Sequence, residues 1–312
     1  MALFECGRRA HELIRANMKW TILYRGPLSS CNYACDYCPF AKRRNTRSEL
    51  EYDAIKLARF VDWVSKRREQ IGILFTPWGE ALIHRHYQQA IVALSRLPNV
   101  SRVAIQTNLS CQLDWIDACN KAVVALWTTY HPSQVSLPRF VEQCERLDRA
   151  GVRYSVGVVG LRENISAIRA LREALHRETY VWVNAYKKIA DYYSMSELDE
   201  LRAIDRLFDF NLTAHASFGR ECRAGHSVFT VDGDGDMRRC HFIKTVIGNI
   251  YQSGFEQALV PRACSNTSCG CHIGYVHMPH LKLDYVYGDG LLERIPRGTM
   301  NVSRTCSQAA AE

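Results

Sequence analysis

The sequence lacks the long apolar stretch that a membrane-spanning helix requires. Its 312 residues contain no apolar run near the ~20 residues that cross a bilayer. Residues 1–20 are interrupted by charged side chains and lack the apolar centre of a signal peptide. Low-complexity segments and short internal repeats are absent as well. These absences exclude a membrane protein and a repeat architecture, and we expect a cytoplasmic protein.

No charge of one sign dominates either. The formal net charge of +8 is moderate, and 47% apolar with 23% charged residues is ordinary for a globular protein. The densest basic run, residues 41–47, is either a solvated loop or a patch that steers an anionic substrate or a reduced electron donor. Cysteine is the strong deviation, with 13 residues. In a reducing compartment, clustered thiols indicate metal binding or catalysis rather than disulfides.

Three of these thiols, Cys31, Cys35 and Cys38, lie within eight consecutive residues after a short apolar run. Random placement of 13 cysteines in 312 positions gives this pattern about 0.02 times per chain. Three thiolates are too few to close a tetrahedral zinc site or to ligate all four corners of a [4Fe–4S] cluster. The spacing therefore predicts a metal centre with one open corner, or else a zinc loop completed by a distant histidine.

Short β-branched or aromatic runs alternate with segments of helical period, which is typical of βαβ units and a parallel sheet. The predicted strands are residues 20–24, 72–76, 102–107, 123–130, 154–159 and 180–183. The predicted helices, apart from one near the N-terminus, are residues 52–68, 84–97, 113–121, 137–150, 165–176 and 196–208. Six such units suit an open doubly wound sheet or an incomplete barrel, and in both of these folds ligands lie at the carboxyl ends of the strands.

That rule places several polar segments at one rim. The three-cysteine loop follows the first strand, residues 77–80 (Pro-Trp-Gly-Glu) follow the second, residues 106–108 (Gln-Thr-Asn) end the third, and Tyr130 and His131 end the fourth. After residue 210 helical periodicity stops, and we place a domain boundary at 212. The predicted organisation is an extension at 1–19, an α/β domain at 20–211 and a Cys-rich domain at 212–312.

The Cys-rich region predicts a hairpin, with strands at 228–231 and 237–240 around an Asp/Gly turn. It holds six cysteines: Cys222, Cys240, Cys264, Cys269, Cys271 and Cys306. This density suits a small domain stabilised by an iron–sulfur cluster or by a zinc knuckle. Cys111, Cys119 and Cys144 fall in helical segments and are interpreted as core residues, whereas Cys6 and Cys306 have no assigned role.

The first cysteine loop resembles the CxxxCxxC motif of the radical S-adenosylmethionine (SAM) superfamily, including the aromatic Tyr37 before the last cysteine. The resemblance implies a partial (β/α)₆ TIM-like barrel. It also implies a [4Fe–4S] cluster on Cys31, Cys35 and Cys38 whose open iron binds SAM, and reductive cleavage of SAM to a 5′-deoxyadenosyl radical.

Residues 78–80 resemble the Gly-Gly-Glu motif of that superfamily, with Trp78 in place of the first glycine. The resemblance implies that Trp78, Gly79 and Glu80 contact SAM and that Glu80 binds its amino group. The alternative for Glu80 is an acidic residue in the first turn of a helix.

Residues 156–163 resemble the adenine-contacting segment of the family, which assigns Val158 and Gly160 to the cofactor, although the same run suits a buried strand and turn. Three further residues at strand ends, Asn108, Asn184 and Tyr186, are candidates for ribose or adenine contacts or for turn and capping roles.

The spacing of Cys222, Gly235 and Cys240 resembles the start of the SPASM or twitch extension, which carries auxiliary clusters. It implies one auxiliary [4Fe–4S] cluster on Cys222 and Cys240, joined by two of the three thiols Cys264, Cys269 and Cys271.

The family resemblance implies hydrogen abstraction from a peptide, a protein or a small natural product, with electrons from a reduced flavodoxin or ferredoxin type of donor. RNA modification is an alternative that the basic charge permits but no RNA-binding appendage supports. A non-catalytic binding protein stabilised by zinc is the alternative of another class.

Overall fold

The computed structural model describes residues 19–40 and 43–298. Its strands are β1 (Lys19–Arg25), β2 (Gln70–Phe75), β3 (Val100–Thr107), β4 (Val124–Tyr130), β5 (Arg153–Gly160), β6 (Val181–Ala185), β7 (His215–Ala216), β8 (Val228–Asp232), β9 (Asp236–Arg238), β10 (Val246–Asn249) and β11 (Ser268–Cys269). Its α-helices are α1 (Arg47–Ser65), α2 (Arg85–Ser95), α3 (Leu137–Ala150), α4 (Ile165–Ala174), α5 (Met195–Ile204), α6 (Phe208–Leu212), α7 (His272–Tyr275) and α8 (Leu283–Tyr287).

The strands β1 to β6 form a parallel sheet in which each strand pairs with its neighbour in the chain. Within the described residues, β6 and β10 are the terminal strands and do not pair with each other, so the barrel is partial. This arrangement confirms the predicted α/β fold and all six predicted strands. A helical connection follows each of the early strands because parallel neighbours require a crossover.

Alternating side chains explain why both faces of this sheet are buried. Ile22 and Tyr24 pack in the outer core with the helices, whereas Leu23 between them packs in the barrel interior. The same alternation places Leu74, Ala104 and other residues of the neighbouring strands inside. Burial on both faces is typical of parallel sheets covered by helices.

The helix predictions are largely confirmed, with shifted ends. The prediction at 137–150 agrees with α3, which has Pro138 in its first turn and ends at Gly151, where φ is +68°. The prediction at 113–121 is wrong, because this segment forms a short 3₁₀ helix, Asp114–Ala118. The prediction of a helix near the N-terminus lies outside the described residues.

The predicted hairpin is confirmed, and its strands continue the barrel's own sheet. The strand β8 pairs with β1 in parallel, and β9 and β10 follow in antiparallel order. A separate Cys-rich domain beginning at 212 therefore stays a prediction.

The segment after α8 fills the interior of the barrel near the amino ends of the strands. Leu292 packs in the interior cluster, and Ser155 Oγ donates to the Glu293 carbonyl over 2.6 Å. The Glu293 carboxylate lies 2.9 Å from Arg153 Nη2 and 3.5 Å from Arg102 Nε. Because this end is filled, the opening of the barrel lies at the carboxyl ends. Among the described residues, no helix is both long enough and apolar enough to cross a membrane.

Candidate functional site

A cavity of about 920 Å³ opens where the parallel strands end. Eight of the predicted site residues line it: Cys31, Cys35, Cys38, Trp78, Gly79, Glu80, Asn108 and Cys271. The tertiary structure thus brings together segments that are separated by up to 240 residues in the chain. A cavity at the carboxyl ends of parallel strands is where α/β folds bind their ligands.

The cysteine loop is held against the end of β4. Cys35 is buried, and its Sγ lies 3.4 Å from His131 Nδ1, while Tyr37 Oη lies 2.7 Å from the same nitrogen. Ala34 N donates to Gln134 Oε1 over 2.9 Å. His131 thus connects the loop to the strand. Tyr37 is not among the described residues that line the cavity, so its role at the cofactor stays a prediction.

A second set of contacts ties the loop to the end of β3. Asn108 Nδ2 donates to Asn32 Oδ1 over 3.0 Å and lies 3.8 Å from Cys31 Sγ. Tyr33 N donates to Cys31 Sγ over 3.4 Å. Donors directed at a sulfur stabilise its thiolate form, which is the form that binds a metal.

The three thiols are close enough to influence one another. Burial raises the pKa of Cys31, and Glu80, Cys35 and Cys38 raise it further, while the hydrogen bond from Tyr33 lowers it. Bound iron would supply the positive charge that these thiolates lack. Three half-buried or buried thiols at the wall of a cavity fit a cluster that keeps one iron open to a ligand. In the described ranges, no group of three or more His, Cys, Asp or Glu side chains has the arrangement that would hold a single metal ion.

Glu80 is fixed at the ends of β2 and β3 by three hydrogen bonds. Its Oε1 accepts from Leu82 N over 3.0 Å and from Thr107 Oγ1 over 2.8 Å, and its Oε2 accepts from Asn108 N over 2.5 Å. The Glu80 amide in turn donates to the Ser30 carbonyl over 3.1 Å, which joins this carboxylate to the start of the cysteine loop.

Gly79 is required for this close approach. A Cβ at position 79 would lie 1.7 Å from Ser30 O and 2.3 Å from Ser30 C, so any side chain would push the loop and the β2 end apart. The second residue of the Gly-Gly-Glu-like motif therefore has a steric reason to be glycine. Trp78, in contrast, is 38% exposed, and the Arg25 guanidinium lies 4.0 Å from its ring centroid at the cavity wall.

Burial raises the pKa of Glu80 to about 7, although hydrogen bonds from Asn108, Thr107 and Leu82 lower it. Among the described residues, no Lys, Arg or His side chain contributes a compensating charge to it. A buried carboxylate without a counter-charge at a cavity wall fits the ammonium group of a ligand such as SAM. The helix-first-turn alternative is not favoured by this geometry, because Glu80 lies before the α2 helix and is bonded to β3.

The remaining cofactor candidates occupy different places. Val158 is fully buried in the outer core, and Gly160 O accepts from Tyr193 Oη over 2.5 Å. Neither residue lines the cavity within the described part of the chain, so their adenine role stays a prediction. Asn184 lines the cavity, whereas Tyr186 packs against Tyr192 at a ring distance of 4.7 Å.

Four of the late cysteines lie near enough to one another for electrostatic influence and outside the described lining of the cavity: Cys222, Cys240, Cys264 and Cys269. Burial raises the pKa values of Cys222 and Cys240, and Cys264 raises both further. Burial also raises the pKa of Cys269 to about 12. The thiols of Cys240, Cys271 and Cys222 raise it further, while a hydrogen bond from the Cys271 amide lowers it. Cys271 has an exposed side chain and lines the main cavity instead.

Arg239 holds these thiols together by joining three backbone segments. Its Nε donates to Ala224 O over 3.1 Å, its Nη2 donates to Arg262 O over 2.6 Å, and its Nη1 donates to Ala263 O. The three acceptors lie beside Cys222 and Cys264, and Arg239 itself precedes Cys240. This clamp brings three thiols distant in sequence into one region.

Other sequence features have structural explanations. Cys111 and Cys144 are buried in the outer core, and Cys119 is partly buried against it, which confirms their core interpretation. Cys6 and Cys306 lie outside the described residues. Of the basic run, positions 41 and 42 are also outside them, while Arg43 pairs with Glu49 and lines the cavity together with Arg44.

Sequence reasoning missed several cavity residues: Arg25, Thr129, Trp127, Trp182, His241, His272 and Arg294. For His131, which also lines the cavity, its position at the end of a predicted strand was the signal in the sequence. Arg294 had none, because it lies in an irregular segment 45 residues after β10, the last strand of the barrel's sheet in the chain.

No protein-family model matches the sequence, and no curated protein matches it. The fold, however, is similar to solved structures. SuiB from Streptococcus suis bound to S-adenosylmethionine has a TM-score of 0.52 at 13% identity, covering 80% of this chain and 68% of that chain. A second SuiB structure has a TM-score of 0.51 at 12% identity, covering 78% and 66%. The protein anSMEcpe with bound AdoMet has a TM-score of 0.50 at 14% identity, covering 77% and 83%. At these identities the similarity establishes the fold.

Proposed function

We propose that this chain, which has the fold of the radical SAM enzymes SuiB and anSMEcpe, is itself a radical SAM enzyme. The observation that carries the proposal is the convergence of three thiols of one loop and one buried, uncompensated carboxylate on a single cavity. Both similar proteins have solved structures with SAM bound, which supports SAM as the ligand here.

In this proposal Cys31, Cys35 and Cys38 ligate a [4Fe–4S] cluster, and Glu80 accepts the α-ammonium of SAM. When bound, the two groups would supply a 5′-deoxyadenosyl radical that removes a hydrogen atom from the substrate. Asn108 and His131 act as positioning residues, because both hold the cysteine loop in place. The cavity walls keep water and other thiols from the reacting centre.

We also infer an auxiliary [4Fe–4S] cluster on Cys222, Cys240, Cys264 and Cys269. Their electrostatic influence on one another and the Arg239 clamp support these four as one group. Cys271 also influences Cys269, but it lines the main cavity, and we therefore leave it out of the set. Four protein thiolates would leave no open iron, which suits electron transfer. A structural zinc on the same four thiols is the alternative from the sequence. It would require the thiols to move closer together, because no three such side chains of the described residues are arranged to hold a single ion.

The proposed substrate is a peptide, a protein or a small natural product, and the proposed electron donor is a reduced flavodoxin or ferredoxin. A cavity of about 920 Å³ is at the upper end of ligand pockets, which supports room for SAM together with a second molecule. Arg43 and Arg44 at its lining provide positive charge for an acidic donor or substrate.

The test starts with anaerobic protein. We expect about eight irons and matching sulfide per chain, as two [4Fe–4S] clusters require. Dithionite with SAM should yield 5′-deoxyadenosine. Cys35→Ala should abolish this product, whereas Cys119→Ala, which removes a thiol outside the cavity, should retain it.

Two results would end the proposal. Zinc without sulfide would replace the enzyme with a zinc-stabilised binding protein. Undiminished 5′-deoxyadenosine formation by Cys35→Ala would remove the first cluster from its assigned loop. For the auxiliary site, Cys269→Ala should lower the iron content by about four, while Cys271→Ala should leave it unchanged.

A further inference from the structure

A buried arginine lies at the floor of the cavity. Arg294 is 2% exposed and lines the cavity, with its guanidinium 4.4 Å from the ring centroid of Trp182 and 5.6 Å from that of Trp127. The side chain reaches the barrel interior from the irregular segment after α8. A cation in such a place is costly unless it is paired.

The charge of Arg294 has no carboxylate partner among the described residues. The carboxylate that influences it, Asp205, is already engaged: its oxygens accept from Tyr180 Oη over 2.6 Å and from the amides of Val183 and Leu207 over 2.9 Å. The Tyr287 side chain is hydrogen-bonded to the guanidinium, but Arg294 Nε has no hydrogen-bond partner among the described residues. Since buried polar groups are nearly always satisfied, an orphan donor at a cavity wall requires an explanation.

A second orphan lies beside it. His272 is 3% exposed, lines the same cavity and packs against Trp127 at a ring distance of 5.3 Å. Neither of its ring nitrogens has a hydrogen-bond partner in the described part of the chain. Two buried side chains with unpartnered nitrogen atoms thus line the same cavity, whose wall also includes the indole rings of Trp127 and Trp182.

The loop that carries Arg294 is fixed in advance. Glu293 is ion-paired with Arg153 at 2.9 Å, and Ile295 N donates to Gly290 O over 2.8 Å. Arg294 itself has φ of +58°, a conformation that is uncommon outside glycine and that concentrates at functional sites. The backbone that carries Arg294 is therefore fixed, and the guanidinium itself contacts Tyr287 and Trp182.

We infer that Arg294 and His272 form a subsite for a carboxylate group of the substrate, with the apolar part of the substrate lying against Trp127 and Trp182. This inference rests on the proposed function and narrows its substrate class to organic acids with an apolar body. A carboxylate is favoured because one guanidinium supplies one full charge in a planar donor array. The acid belongs either to a small molecule or to the C-terminus of a peptide.

The test uses anaerobically reconstituted protein saturated with SAM and isothermal titration with two matched pairs. Phenylacetate is compared with phenylacetamide, and Gly-Gly-Phe with its C-terminal amide. We expect at least one acid to bind about 10-fold or more tightly than its amide, as one charged hydrogen bond implies. The pair that shows the preference identifies the small molecule or the peptide as the source.

Arg294→Gln should weaken binding of the preferred acid by about 10- to 100-fold and leave its amide unchanged. Arg297→Gln is the matched control, because Arg297 lies in the same segment but is exposed and outside the cavity lining. Its affinity for the acid should equal that of the unchanged protein. If Arg294→Gln does not fold, His272→Ala is used in its place and should weaken binding of the preferred acid by about 3- to 10-fold.

Equal binding of acid and amide in both pairs, no binding of either acid, or an unchanged acid affinity in Arg294→Gln would overturn the subsite. The proposed function is judged separately, by formation of 5′-deoxyadenosine from SAM and dithionite without any acid. Loss of that product together with retained acid binding would reject the enzyme and keep the subsite. Formation of 5′-deoxyadenosine without acid binding would reject the subsite and keep the proposed enzyme.

Discussion

SAM affinity should depend on pH through Glu80. Burial raises the pKa of this carboxyl from 4.5 to about 7, so below pH 7 most of it carries a proton. Binding of an ammonium requires the ionised form, and the proton must leave first. The apparent dissociation constant of SAM should therefore increase tenfold for each pH unit below 7. Between pH 8 and pH 5.5 the affinity for SAM should fall by about 30-fold.

The same shift affects folding in the absence of SAM. Because the folded pKa lies above the unfolded value, the folded chain holds a proton that the unfolded chain releases between pH 4.5 and 7. The free energy of unfolding should thus fall as pH rises through this window, by about 2 kcal/mol between pH 5 and 7 from this residue.

The assay is anaerobic calorimetric titration of reconstituted protein with SAM between pH 5.5 and 8, in two buffers of different ionisation enthalpy. Binding at pH 6 should release about 0.9 protons. Glu80→Gln should bind SAM weakly and with a flat pH profile over this range. Glu69→Gln removes another buried carboxylate, outside the cavity lining, and should keep the steep profile of the unchanged protein.

An identical pH profile in Glu80→Gln would refute the reasoning, since the titrating group would then be another residue. A flat profile in the unchanged protein would refute it as well, because it would mean that Glu80 is already ionised at pH 5.5.

Three further perturbations test the scaffold. Gly157→Ala places a Cβ 1.9 Å from the ring of Trp182, and thermal melting should show a loss of about 1–3 kcal/mol from overpacking. Arg239→Met leaves three backbone carbonyls without their donor, and iron analysis should show about half the iron with 5′-deoxyadenosine formation retained. Glu293→Gln leaves two arginines without their buried partner, and urea unfolding should show a loss of about 3 kcal/mol. Unchanged stability in the first or third variant, or full iron in the second, would contradict the respective contact.

Much of the barrel could be predicted from the sequence because the signals for its strands and helices are local. Strand alternation and helical period are properties of short windows, and α3 has both its proline start and its glycine end in sequence. The segment 113–121 was mispredicted because its apolar spacing is compatible with a helix, while the fold uses it as a single 3₁₀ turn.

In the candidate site, too, some features could be predicted from the sequence and others depend on contacts between distant residues. The thiol spacing of the first loop and the position of Glu80 after a strand were visible in sequence, since cluster ligands and strand ends both have a fixed local pattern. The reason for Gly79 was not visible, because it depends on the carbonyl of Ser30 almost fifty residues earlier.

The sequence alone determined the order of strands and helices and the thiols of the first loop, because periodicity and close spacing act over a few residues. Only the tertiary structure decided that Cys271 lines the main cavity while the four other late thiols of the described residues do not. It also decided that Arg294 enters the barrel from the far end of the described chain and lies against Trp182. The physical reason is that burial and electrostatic partners arise from contacts between residues distant in the chain, which no local pattern records.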